Sequence, residues 1–161
     1  MTHFNNRFMK KLVILFNLLL ISLTVFSQKI SPDYDSTLAK SFGGDDYGMK
    51  KYVLVILKTG SNPSENKALR DSIFRGHLKN IGRLADAGKL IIAGPLGKNE
   101  KTYRGIFILN VQTLEDANEL LQSDPAVQEK YLEAELFIWY GSAALPDYLK
   151  THKKIEKYSP G

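Results

Sequence analysis

The chain has 161 residues, of which 43% are hydrophobic and 24% charged, with 22 Lys and Arg against 17 Asp and Glu for a formal charge of +5. This is the composition of one ordinary globular domain, and it excludes a disordered chain, a collagen-like repeat and a multi-span membrane protein. Cysteine is absent, which removes disulfide frameworks, Cys-based zinc sites and Cys nucleophiles from consideration.

The excess positive charge begins at the N-terminus. Arg7, Lys10 and Lys11 are offset by no acid before Gln28, and the rest of the chain is close to neutral. No nucleic-acid partner is therefore expected. Behind these basic residues runs an apolar stretch, Leu12–Phe26, interrupted by Asn17, Ser22 and Thr24. It is shorter than the roughly 20 residues that a membrane span requires. It ends in Val25-Phe26-Ser27, with residues suited to a signal-peptidase site. Residues 1–27 are read as a secretory signal, with Gln28 as the mature start, export to a periplasmic or extracellular location, and no membrane attachment after cleavage. An uncleaved anchor is the alternative. Residues 28–49 are polar, contain Ser31-Pro32-Asp33 and Gly43-Gly44-Asp45-Asp46, and show no period. They are predicted to be a flexible leader.

The folded domain is predicted over residues 50–143. Tyr52–Lys58 is an almost continuous apolar and β-branched run bounded by Gly60 and Pro63, the pattern of a strand buried on both faces. Ser64 is expected to cap a helix from about Glu65 to Ala87. Its apolar positions, Leu69, Ile73, Phe74, Leu78, Ile81, Leu84 and Ala85, recur at spacings of three and four. Gly88 is a natural stop. Leu90–Ala93 is a second strand ending in Gly94-Pro95, and Tyr103–Val111 a third, joined by a polar loop. Thr113 caps a second helix with acids in its first turn, and Asp124-Pro125 starts a short further one. Tyr131–Tyr140 is a fourth strand. The basic tail, residues 144–161, contains Leu145, Tyr148 and Leu149 and has the makings of a short helix.

The order β-α-β-β-α-β is the split βαβ arrangement of an α+β, ferredoxin-like domain: an antiparallel sheet with helices on one face. Strand one is apolar on both sides, and strand three sets Ile106 and Ile108 against Phe107 and Leu109. With helices for only one face, the second face predicts a partner sheet, most simply from a homodimer.

Two residues invite chemistry. His77 falls four residues from both Ile73 and Ile81, on or beside the buried stripe. It is either a core-edge histidine satisfied by hydrogen bonds or an acid–base group in a low-dielectric pocket. Asp124, before Pro125, is either an N-cap or a carboxylate that orients His77. The roles are compatible, because a carboxylate has two oxygens. Gly94 and Pro95 either form a strand-end turn or let a ligand approach the backbone. Arg104 is a candidate for offsetting charge on an enolate or an anion, and Trp139 for aromatic recognition. Phosphate-loop, dinucleotide and paired-His metal motifs are absent, and neither a cofactor nor a metal is expected.

The set His77-Leu78, Gly88-Lys89-Leu90, Ala93-Gly94-Pro95 and Asp124-Pro125, with these intervals and the closing Ile138-Trp139-Tyr140, resembles the YCII-related (YciI-like) family over about residues 51–142. The resemblance implies a dimeric α+β barrel of two face-to-face sheets. It also implies a His-Asp pair, His77 and Asp124, in the pocket of a small enzyme. Related barrels include lactone isomerases, ring-cleavage lyases and monooxygenases of aromatic or quinone-like compounds. This chain departs from the family in its signal and leader. It also departs in Ala126-Val127, where an aromatic residue commonly follows the Asp-Pro. The reading is an exported, cofactor-independent lyase or isomerase acting on a small carbonyl, lactone or quinone-like compound. A non-catalytic barrel holding a small-molecule ligand is the alternative.

Overall fold

A computed structural model describes residues 30–62 and 64–158. The predicted signal segment and Gln28 lie outside the described residues. Residues 30–35 contain a turn in which the Tyr34 N–H donates to the Ser31 carbonyl. From Ser36 onward the chain forms one unit.

Helix α1 (Ser36–Phe42) precedes strand β1 (Met49–Thr59), helix α2 (Lys67–Asp86), strand β2 (Leu90–Pro95) and strand β3 (Tyr103–Leu109). Helices α3 (Leu114–Leu121) and α4 (Pro125–Gln128), strand β4 (Leu132–Ser142), a 3-10 turn (Leu145–Asp147) and helix α5 (Tyr148–Ile155) follow. The four strands form one sheet in the order β2-β3-β1-β4, every neighbouring pair antiparallel. This is the ferredoxin-like α+β arrangement that the element order predicts.

Local chemistry sets the boundaries. Asn66, not Ser64, caps α2, its side chain accepting the Leu69 N–H at 3.1 Å. Gly88 has φ +66°, a left-handed conformation that favours glycine. There the Gly88 and Lys89 N–H groups return to the Ala85 and Leu84 carbonyls. Thr113 caps α3 through the Asp116 N–H.

Period-two alternation divides the sheet into two faces. On one, Val53, Val55, Leu57, Phe107 and Leu109 pack with Leu84 of α2 and Ala117 and Leu121 of α3. The other carries Tyr52, Ile91 and Ile108, with Leu54, Ile92 and Trp139 around them.

Two expectations are corrected. Residues 36–48 are not a featureless leader: α1 is followed by a turn in which Asp45 Oδ1 accepts the Tyr47 and Met49 N–H groups. The other Asp45 oxygen accepts the Tyr140 hydroxyl. A helix of seven residues is too short to announce itself as a period. The second face, moreover, is not left wholly to a partner. Leu145 and Leu149 pack on its Tyr52, Ile91 and Ile108 cluster. The Tyr148 hydroxyl donates to the Ile91 carbonyl at 2.6 Å, and Lys153 reaches Asp86 at 2.7 Å. Phe137, further along that face, stays 47% exposed. Among the described residues, no helix is long and apolar enough to cross a membrane.

Candidate functional site

The site is built where α2 crosses the turn into α4. Gly76 makes the approach feasible: a Cβ placed there would stand 3.0 Å from Pro125 Cγ. Pro125 can therefore lie directly on the helix, and the adjacent residues, His77 and Asp124, meet.

His77 Nδ1 and Asp124 Oδ2 are 2.7 Å apart, with the residues 8% and 1% exposed. The second carboxylate oxygen, Oδ1, accepts the Ala126 N–H at 2.9 Å and so caps α4. Both readings of Asp124 are thus present in the geometry, one on each oxygen. Burial pushes the Asp124 carboxyl up. The hydrogen bond and charge of His77, the Ala126 N–H and the Asn80 amide outweigh it and hold the group below its ordinary value of 3.8. An ionised carboxylate only accepts. His77 Nδ1 therefore donates to this carboxylate, and in the neutral imidazole the lone pair is then on Nε2.

A second layer fixes this pair. Asn80 Oδ1 accepts from Arg83 Nε and Nη2 at 3.2 and 2.7 Å, which turns Asn80 Nδ2 toward Asp124 Oδ2 at 3.4 Å. Arg83 Nη2 also donates to the Ser123 hydroxyl, which donates to the Leu120 carbonyl. The imidazole stacks on Phe107, with centroids 6.0 Å apart and planes at 23°, and meets Phe74 edge-on.

His77 opens onto a cavity of about 350 Å3 lined also by Leu57, Phe74, Leu78, Ile81, Ala93, Gly94, Pro95, Arg104, Gly105, Phe107 and Leu132. Of the candidate residues, His77, Gly94, Pro95 and Arg104 share this cavity, and Asp124 stands behind His77. Arg104 arrives there through a register shift. Leu57 pairs with Gly105 but Lys58 with Tyr103, so Arg104 is the extra residue of a bulge, which re-aims a side chain.

Trp139 is not part of the site. It lies on the opposite face, 5.7 Å from the Tyr52 ring. Asn80, Arg83, Phe74 and Phe107 were not singled out as functional residues. Asn80 carried a signal, standing one helical turn from His77, where neighbouring side chains meet. Among the described residues, no cluster of three or more His, Asp or Glu is placed to hold a metal ion.

No family model matches the chain, and no curated protein matches it. Six chains of solved structures do. One is the 5-chloro-2-hydroxyhydroquinone dehydrochlorinase of Burkholderia phenoliruptrix in complex with 2,5-dihydroxybenzoquinone. It is 17% identical, with a TM-score of 0.39, and the match covers 54% of this chain and 92% of that one.

Proposed function

We propose that the protein is a small lyase or isomerase that moves a proton on a small carbonyl, lactone or quinone-like compound. The observation that carries this reading is the buried 2.7 Å contact between His77 Nδ1 and Asp124, with His77 lining an apolar cavity. In this mechanism, Nε2 takes a proton from the carbon beside a carbonyl, and the C–H electron pair passes into an enolate. Asp124 stabilises the resulting imidazolium and keeps its orientation. The enolate then either recovers the proton at another carbon or expels a β leaving group, to which the imidazolium gives its proton. The resemblance of the His77, Gly94-Pro95 and Asp124-Pro125 set to YciI-like proteins supports the compound class.

Turnover of a panel of such compounds tests the proposal. The variant His77→Ala is expected to lose about 100- to 10,000-fold in any turnover found while keeping its far-UV circular dichroism. Turnover that survives the substitution would discard the role given to His77. A ligand-binding barrel without turnover is the second reading, favoured by the apolar lining of the cavity.

The same proposal includes export and a homodimer, the dimeric α+β barrel. Leu54, Ile56, Ile106 and Phe137 leave an apolar strip beside the area that α5 covers, and a second copy is its proposed cover. Exported protein is expected to begin at Gln28 by mass analysis and to scatter light as a dimer at micromolar concentration. An intact Met1, or a monomer, would remove the corresponding part.

A further inference from the structure

A second cavity, about 300 Å3, adjoins the first and shares Phe74, Arg104 and Leu132 with it. Its chemistry is different. Arg70 and Arg104 both line it, and neither makes an ion pair with another described residue. The acid nearest Arg70 in sequence, Asp71, is hydrogen-bonded by Lys67 at 2.5 Å and meets the charge of Arg70 only through space. The carboxylate in the lining, Glu65, is exposed. Tyr131 lines the same cavity, is 8% exposed, and carries a buried hydroxyl with no hydrogen-bond partner among the described residues.

We infer that the compound handled at His77 is a small organic acid. Its carboxylate sits in the second cavity on Arg104, with Arg70 at the outer side. Its apolar, carbonyl-bearing body lies in the first cavity against Phe74, Leu78, Ile81 and Phe107. Guanidinium groups suit this task because their planar donors match a carboxylate two to two. The bulge that carries Arg104 onto the cavity face puts that donor on the wall common to both chambers. This inference rests on the proposed proton-transfer reading for the position of the reacting end, but the acid site itself does not require turnover.

The experiment measures binding of benzoate and of its neutral isostere benzamide to the full protein by calorimetry, at one ionic strength. Benzoate is expected to bind about ten- to a hundredfold more tightly, the range for a charged hydrogen-bond partner. Arg104→Gln should remove that preference, Arg70→Gln should reduce it, and His77→Ala should keep it. Arg104 is exposed, and a thermal melt of its variant verifies that it folds. Equal affinity for the two compounds, no benzoate binding, or a preference that persists in Arg104→Gln would overturn the acid site. Failure of the proton-transfer reading shows separately, as turnover that survives His77→Ala.

Discussion

The two faces of the sheet are built from similar apolar strand residues but carry different loads. On the α2 face, the packing around Val55, Leu57 and Phe107 admits a histidine, a carboxylate and an amide that are hydrogen-bonded to one another. On the other face, Tyr52, Ile91, Ile108 and Trp139 are closed over by Leu145 and Leu149, and the polar atoms are used only for anchoring. The Tyr52 hydroxyl, for example, donates to the Ser142 carbonyl at 2.8 Å, and burial pushes its pKa up to about 12. A buried charge is tolerable where a network satisfies it and expensive where it stands alone. The buried polar network is therefore concentrated on the first face and apolar adhesion on the second.

The most damaging way to break this contrast is Asp124→Ala. It removes the α4 cap and leaves the His77 and Asn80 donors facing no acceptor. A loss of about 2–4 kcal/mol is expected in denaturant unfolding. Asp124→Asn is expected to lose less, because its amide oxygen still caps. Its NH2 would face His77 Nδ1 and favour the tautomer protonated on Nε2, so turnover should fall while the fold persists. The pair also has a pH signature. Because the folded Asp124 titrates below its ordinary 3.8, its stabilising contribution is complete above the unfolded-state value and is lost as pH falls through the lowered one. Acid unfolding curves should show this loss in the parent and less of it in Asp124→Asn. Identical curves would separate Asp124 from acid stability.

On the second face the test is Trp139→Ala. Truncation of a half-buried indole against Tyr52 is expected to cost about 2–3 kcal/mol, below the range for a fully buried aromatic. Any turnover should be unaffected at temperatures well below the melt. A variant that lost turnover while still folded would tie Trp139 to the site across the sheet, contrary to the division of labour.

Much of this division was legible in the sequence. The stripe of α2 put His77 at the sheet, and Asp124-Pro125 marked a capped turn. The alternation Leu132, Ala134, Leu136 also implied that Trp139 faces away from α2, so its separation from His77 was readable from the strand period. Three features were not. The bulge at Arg104 inserts one residue and resets the face, and no composition signal marks it. The tail's Leu145 and Leu149 show a helical spacing, but which surface they cover depends on the chain's return path. Two partners of Asn80, Ser123 and Asp124, lie more than forty residues away, so its role needs tertiary contacts.

The finest probe of the comparison is Gly76→Ala, because two opposed effects of similar size meet there. Alanine in a helix interior is worth up to about 1 kcal/mol over glycine. Against this, the new methyl would stand 3.0 Å from Pro125 Cγ, and the turn must yield by a few tenths of an ångström to accept it. Net stability is expected to change by less than about 0.5 kcal/mol. The displacement is not distributed evenly, however. Pro125 follows Asp124 directly, so the yielding turn carries the carboxylate away from His77 and lengthens the 2.7 Å contact. Turnover should fall several-fold, and the stabilisation lost on acidification should shrink. If Gly76→Ala instead gained the full helical increment and kept the parent's acid unfolding curve, some other contact would be setting the distance between His77 and Asp124, and glycine at this position would be there for no reason connected with the pair.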